Sequence, residues 1–373
     1  MHIDTVLVKV ASRCNINCTY CYVYNMGDEG WQDMPNLISE STIRYLASSL
    51  ELLIKDQERP FATVFHGGEP LMLGARRLEF LLKELRSVLP QNYPLCMQTN
   101  GILITDDILD LCSLYKVGVS VSIDGPQAVN DKFRVDKQGM GTYQKIVEGI
   151  DRLKNHPDSE FLYAGLLSVI DPSSDPTQVY NFLKELGAKS IDFLYRDGNH
   201  TNLPYGKSSI TSTEYGEWLS KLLDIYLADK QPVKIRFLDD ILRIALGGNG
   251  VKEGLGDSFY GIAIIETDGS LTKNDTLKSN FDGADKFDKK WTVKTDRLSD
   301  VFNTSDFKEY YKLQQPSSEQ CKSCEYLKIC GGGMPLHRWR RENAYDNPSV
   351  YCNDQQLLIG KAISVLTKEG LLQ

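Results

Sequence analysis

The sequence predicts an α/β protein: a (β/α)6 partial barrel followed by a smaller, cysteine-bearing domain. Three observations carry this. Short β-branched runs alternate with helical periods through the first 200 residues, and such alternation implies βαβ units around a parallel sheet. Cys14, Gly67, Asn100 and Asp124 fall just after predicted strands, at the carboxyl ends where such sheets place their chemistry. Beyond residue 196 the alternation stops and a second group of cysteines follows.

The strands are read at "TVLVKVA" (5–11), "ATVFH" (62–66), "PLCMQT" (94–99), "VGVSVSI" (117–123), "FLYAGLLSVI" (161–170) and "SIDFLY" (190–195). Between them, "ISESTIRYLASSLELLIK", "RRLEFLLKELRSVL", "DDILDLCSLY", "YQKIVEGIDRLKN" and "PTQVYNFLKELG" carry apolar residues at helical spacing. Ser39 or Ser41 can cap the first helix, and Asp175 before Pro176 can cap the fifth. "RDGNHTNLPYGKSSIT" then reads as a polar, turn-rich linker, with helices near 212–229 and 237–246. "LGGNG" (246–250) is a flexible connection, and "GIAIIETDGSLTKND" is a hairpin turning at Asp268-Gly269. A last helix is expected near 354–368. The expected domains are 1–200, a bridging stretch 201–250, and 251–373. No repeat beyond the βα alternation is found.

A net charge of −8 argues against nucleic acid as the main partner, because phosphate binding needs a basic surface. It leaves room for a basic or neutral peptide. "MHIDTVLVKVASRC" lacks the basic and apolar regions of a signal peptide. No run approaches the roughly 20 apolar residues of a membrane span. The expected location is cytoplasmic, so the nine cysteines are expected as reduced thiols. Cys96 and Cys112, each alone in an apolar stretch, read as small buried hydrophobes.

"SRCNINCTYCYV" holds Cys14, Cys18 and Cys21. Soft thiolates select zinc, copper(I) or iron–sulfur clusters. A structural zinc site closes with four protein ligands, yet the next histidine, His66, lies on another strand. C-x3-C-x2-C just after the first strand resembles the radical S-adenosylmethionine (SAM) superfamily. The resemblance implies a partial barrel of the radical SAM type and a [4Fe–4S] cluster on Cys14, Cys18 and Cys21. It also implies SAM, whose amino and carboxylate groups bind the open iron. "HGGEP" (66–70) matches that family's Gly-Gly-Glu-Pro motif. There Gly67 and Gly68 let the backbone approach the methionine amino group, and Glu69 orders the loop. "QTNG" with Asn100 and "SIDG" with Ser122 and Asp124 occupy strand ends where similar proteins hold SAM. Ser122 and Asp124 are matched to the ribose hydroxyls. Arg134 is the candidate for the SAM carboxylate, which a guanidinium can grip bidentately, and Tyr20 for the aromatic that borders adenine.

"CKSCEYLKICGGGM" with Cys352 resembles the SPASM domain of peptide-modifying radical SAM enzymes, whose full pattern has seven cysteines and two auxiliary [4Fe–4S] clusters. Here Asn274 and Met334 stand where two of the ligands of the first auxiliary cluster would be, and no cysteine lies upstream between 253 and 259. The resemblance therefore implies one auxiliary cluster, on Cys321, Cys324, Cys330 and Cys352, and two [4Fe–4S] clusters in all. A structural zinc with the same four thiols is the alternative. Asp275 follows Asn274. In sulfatase maturases, which this chain resembles, an aspartate at that place is the general base; the alternative is a turn aspartate bonding to its own backbone.

The lone auxiliary site, "FLYRDGNH", "IRFLDDIL" and "ETDGSLTKNDTLK" are most similar to radical SAM/SPASM maturases that build three-residue cyclophanes. These join an aromatic ring carbon to a β-carbon two residues on, in a ribosomal precursor peptide. The implied partners are that peptide and an external reductant such as flavodoxin or ferredoxin. β-Hydroxylation, thioether formation, epimerisation and sulfatase formylglycine formation are the alternatives, and a non-catalytic metal-binding scaffold is a remote one. Asp197 and His200 are placed on the substrate side of the barrel. "HRWRREN" (337–343) reads as a solvated helical face. With 13 residues before Cys14, precursor docking is expected to use the chain's own surface or a separate protein.

Overall fold

Each expected strand is present in the computed structural model, which describes residues 2–372. They are β1 (Thr5–Ala11), β2 (Ala62–Gly67), β3 (Leu95–Thr99), β4 (Val117–Ser122), β5 (Tyr163–Val169) and β6 (Ser190–Leu194). The helices between them are α1 (Glu40–Asp56), α2 (Gly74–Arg86), α3 (Asp106–Leu114), α4 (Tyr143–Asn155) and α5 (Pro176–Glu185). Then follow α6 (Glu214–Ala228), β7 (Lys234–Ile235), α7 (Arg236–Ala245), β8 (Ile262–Ile265), β9 (Leu271–Thr272) and α8 (Cys352–Lys368). Ser39 accepts the Thr42 N–H at 3.1 Å and starts α1. Asp175 does the same for Thr177 at 3.0 Å, with Pro176 preset for the first turn of α5.

The chain forms two compact units, each assembled from separate stretches. The first contains residues up to Ile123, Asn130–Leu166 and Gly261–Tyr310. Its strands run in the order β5-β4-β3-β2-β1-β8-β9. β1 pairs in parallel with β2, with Val8 opposite Phe65 and Lys9 opposite His66. On its other edge β1 pairs in parallel with β8, from Thr5–Ile262 to Val8–Ile265. The hairpin forms as expected, since β8 and β9 are antiparallel. Its first strand also extends the parallel sheet, because "IAII" is apolar at every position and suits burial on two faces. Val6, Val8, Phe65, Met97, Val119 and Val121 are buried along this sheet, each worth about 1.5–3 kcal/mol of apolar burial.

The second unit contains Asp124–Val129, Leu167–Tyr260 and the chain from Tyr311 onward. Here β5, β6 and β7 are neighbours, β6 and β7 being parallel with Ile191 opposite Ile235. The Gly216 N–H on α6 donates to the Asp354 carboxylate on α8 at 2.8 Å. Cys112 is fully buried, as expected; Cys96 is only half-buried. Among the described residues no helix is long and apolar enough to cross a membrane.

The end of β2 settles where the loop after β1 can lie. Gly67 has φ +142°, and a Cβ there would sit 2.1 Å from the Ala11 carbonyl oxygen. A Cβ on Gly68 would fall 2.2 Å from the Arg13 carbonyl oxygen and 2.1 Å from the Tyr24 hydroxyl. In their place the Gly68 N–H donates to Ala11 at 2.8 Å and the Glu69 N–H to Arg13 at 3.0 Å. Gly67→Ala is expected to destabilise the protein by about 1–3 kcal/mol through backbone strain alone. Chemical denaturation reads this directly; an unchanged midpoint would show that the two loops do not need the close approach.

Candidate cluster and cofactor sites

The Cys14–Cys21 loop is held from both sides within the first unit. The Asn17 and Thr19 N–H groups donate to the carbonyls of Val135 and Phe133, at 2.8 and 2.9 Å. The Cys21 N–H donates to Cys18 at 3.0 Å, and Asn25 donates to the Cys18 carbonyl at 2.8 Å. Burial pushes the Cys14 thiol up to about 12, and the charges of Glu69, Cys18 and Cys21 push the same way. Coordination by a metal would remove that proton outright. Among the described residues, Glu266, Asp275 and Asp285 form a group of three metal-type ligands whose atoms lie within 4.8 Å of one another.

Around this loop the structure gathers most of the expected SAM residues. Glu69 is buried and all of its acceptors are used: Thr99 Oγ1 donates at 2.6 Å, the Leu71 N–H at 3.0 Å and the Asn100 N–H at 2.8 Å. Burial raises its carboxyl, and those three donors oppose the shift. Glu69 thus splices the end of β2 to the end of β3. Asn100 reaches the cysteine loop, with Nδ2 2.7 Å from Asn15 Oδ1 and 3.8 Å from Cys14 Sγ. Ser122 Oγ accepts from Gln98 at 2.8 Å at the end of β4. Arg134 is buried and donates to the Tyr20 hydroxyl at 2.8 Å. Because Phe133 and Val135 pin the cysteine loop, the same segment carries Arg134 to Tyr20.

Asp275 is not a turn aspartate. Asn274 takes that part: its side chain accepts the Thr276 N–H at 3.0 Å. The Asp275 carboxylate is buried and lies 2.8 Å from the Lys9 ammonium, with the Tyr22 hydroxyl donating to it at 3.4 Å. Lys9 also pairs with Glu266 at 3.1 Å. Lys278 continues the network to Asp285 at 3.0 Å, Asp28 at 3.5 Å and Glu266 at 3.6 Å. Burial opposes the charge on Asp275, but Lys9 and Lys278 overcome it and hold the carboxyl below its usual value. Burial likewise opposes Lys9, yet Asp275 and Glu266 raise its pKa. His66, opposite Lys9, is kept neutral because burial lowers its pKa, and its Nδ1 has no hydrogen-bond partner among the described residues. Lys9 is the residue that sequence reasoning missed. The signal was one lysine inside the apolar run "TVLVKVA".

The second unit holds the other sites. Asp124 Oδ1 accepts the Val169 N–H at 3.1 Å and its carbonyl accepts from Ser168 at 3.2 Å. Cys321 and Cys324 lie at consecutive turns, Cys330 ends a short helix before Gly331, and Cys352 begins α8. Burial pushes Cys330 up to about 12, with Cys352, Cys321 and Cys324 adding to it; Cys352 rises to about 11 from burial and two of the same neighbours. All four thiols therefore share one place. His200 is committed elsewhere: its Nε2–H donates to the Pro348 carbonyl at 2.7 Å. Asp197 is half-buried and burial raises its carboxyl to about 7. "HRWRREN" is not a solvated face at its start, since His337 and Arg338 are buried.

Residues 8–169 match the model of the Radical SAM superfamily. Over 364 residues the chain is 26% identical to a cysteine-type anaerobic sulfatase-maturating enzyme of Clostridium perfringens, covering 93% of each chain. A serine-type anaerobic sulfatase-maturating enzyme of Bacteroides thetaiotaomicron is 26% identical over 360 residues, 90% of this chain and 83% of the relative. Among solved structures, native anSMEcpe with bound AdoMet superposes with a TM-score of 0.83 at 22% identity, covering 98% of each chain. Streptococcus suis SuiB bound to precursor peptide SuiA gives 0.65 at 13% identity, over 93% of this chain and 75% of the other. The fold is the radical SAM α/β partial barrel with a parallel sheet. The donor set of the Cys14–Cys21 loop, three thiols held on one short segment, fits the [4Fe–4S] cluster of that superfamily.

Lys9→Met leaves Glu266 and Asp275 short of a buried cation. Breaking a buried pair in this way costs about 3–5 kcal/mol. A denaturation experiment on the variant should show a loss in that range; a loss under about 1 kcal/mol, the value of an exposed pair, would mean the network is solvated in practice.

Proposed function

We propose that this chain is a radical SAM enzyme that modifies a peptide or protein side chain at its β-carbon. In this reading residues 1–200 form the catalytic barrel, 201–250 bridge, and 251–373 carry the auxiliary cluster. Cys14, Cys18 and Cys21 hold one [4Fe–4S] cluster, and Cys321, Cys324, Cys330 and Cys352 the other. When bound, SAM and the clusters supply the carbon radical that takes the hydrogen atom and the acceptor for the electron that must leave. Gly67, Gly68 and Glu69 shape the methionine side of the SAM site, Ser122 and Asp124 are assigned to the ribose hydroxyls, and Asn100 is a further cofactor-binding residue. Arg134 takes the carboxylate, fixed in direction by Tyr20, which borders adenine.

The observation that carries the reading is Asp275, a buried, ionised carboxylate 2.8 Å from Lys9 and in contact with Tyr22, the residue after Cys21. Loss of a hydrogen atom and an electron at the β-carbon leaves one proton to remove, and Asp275 is the acceptor. A carboxylate this well paired is a weak base. It suits a proton already made acidic by the departing electron.

Formylglycine formation on a sulfatase-type serine or cysteine takes the lead, because the sulfatase-maturating relatives align over nine-tenths of the chain. Cyclophane formation is the second reading, supported by the single complete auxiliary site: Asn274 spends its side chain as a cap, and Met334 occupies the last ligand position. Incubation with a sulfatase-derived peptide and with aromatic-containing precursor peptides separates them. A hydrazine-reactive aldehyde supports the first. Loss of two hydrogens with suppressed fragmentation between two residues supports the second. SAM cleavage that modifies neither peptide class would remove both.

Anaerobic reconstitution should give about eight irons per chain, as expected of two four-iron clusters on cysteine sites. Replacing Cys14, Cys18 and Cys21 by alanine should remove about half the iron and all SAM cleavage. Zinc at the C-terminal cysteines, or full iron content in Cys352→Ala, would overturn the assignment. Asp275→Asn should slow peptide modification by about 10²–10⁴-fold while SAM cleavage continues. Near-normal modification by the purified variant would send the search for a base elsewhere.

A further inference from the structure

The four C-terminal cysteines are ringed by polar groups that no ligand role explains. Gln356 Nε2 donates to Cys324 Sγ at 3.8 Å, and Gln320 Nε2 to Cys352 Sγ at 3.8 Å. Gln355 contacts Cys330 at 2.5 Å through its amide oxygen, the thiol donating. Once that sulfur is a thiolate it can only accept, and a half-turn of the same amide presents Nε2–H instead. Cys321 has a different neighbour. The guanidinium of Arg338 is fully buried, lies within electrostatic reach of Cys321 and Cys330, and has an Nε–H with no partner among the described residues. Its other nitrogens are held by the carbonyls of Gln315, at 3.1 Å, and Leu313. Cys352 is also the first residue of the 17-residue α8, whose amino end is electropositive.

The anion beside Cys352 is already paired. Asp354 lies near Cys352, but its carboxylate is 2.5 Å from the Lys207 ammonium, both fully buried, so the pair is neutral as a unit. Cys324 and Cys352 thus meet amide donors, Cys330 meets the Gln355 amide, and the buried Arg338 cation lies near Cys321 and Cys330.

We infer that Gln320, Gln355, Gln356 and Arg338 are positioning residues that raise the reduction potential of the auxiliary cluster and make it an electron acceptor. The inference rests on the reading that these cysteines hold a [4Fe–4S] cluster. Donors to cluster sulfurs and nearby positive charge favour the reduced, more negative state. A purely structural role for the glutamines would keep the cysteines in place without moving the potential. Sequence spacing agrees with a shared face, because Gln355 and Gln356 stand three and four residues after Cys352, one helical turn on.

The test is a redox titration of the reconstituted full chain, followed by electron paramagnetic resonance, in Gln355→Leu, Gln356→Leu, the double variant and Gln355→Glu. The auxiliary midpoint should fall in each single leucine variant and further in the double. Gln355→Glu, which puts an anion at Cys330, should lower it as well. The cluster on Cys14, Cys18 and Cys21 should keep its midpoint throughout and serves as the internal control. An unchanged auxiliary midpoint in the double variant at full iron content overturns the inference. Should the leucine variants lose iron, Gln355→Glu decides by the same criterion. Zinc or no metal at this site in the unmodified protein would instead defeat the cluster reading itself, and iron and sulfide analysis tells these failures apart.

Discussion

Lys9 takes an ammonium into the apolar interior in the middle of β1, where an ion without partners would cost several kcal/mol. Two carboxylates keep it charged, and neither comes from nearby in the sequence: Glu266 follows β8 and Asp275 follows β9. The hairpin must therefore add to the outer edge of β1 in one register, with Thr5 opposite Ile262. A slip by one residue would turn the carboxylates to the other face. Lys278 then neutralises what Lys9 leaves over, drawing in Asp285 and Asp28. The strand that leads into the Cys14 loop is thus locked on one side by backbone pairing to β2 and on the other by buried charge.

The two cysteine groups share a second constraint. Burial raises Cys14, Cys330 and Cys352 above the free thiol value. A metal bound by these thiols would release their protons, and its binding free energy would become part of the folding free energy. The supports around the thiols are Glu69 and the Phe133–Val135 segment at one site and the amide donors at the other.

The six strands and their helices were legible because β-branched runs and helical spacing are local properties, and nothing in this chain overrides them. The cysteines were legible because their spacing has few other uses. Arg134 could be named from its motif, but its burial against Tyr20 depends on a fold-back of residues 133–135 that no periodicity encodes. Lys9 and Asp275, 266 positions apart, could be joined only by knowing that β8 pairs with β1. His200 misled for the opposite reason: a loop histidine near a strand end looks free, and only the tertiary structure turns it onto Pro348. Arg338 misled in the same way, since three arginines in seven residues look like surface.

The long-range support of β1 also sets a timetable for biogenesis. Cys14, Cys18 and Cys21 leave the ribosome early, whereas Glu266 and Asp275 emerge some 250 residues later, roughly tens of seconds at about 5–20 residues per second. Through that interval Lys9 has no counter-ion and the edge of β1 has no partner strand. A nascent chain with three accessible thiols on an unfinished scaffold can be oxidised or capture the wrong ion before its loop is rigid. Cell-based production should therefore depend on the supply of iron–sulfur assembly factors and on low oxygen during translation itself, and not only on conditions after the chain is complete.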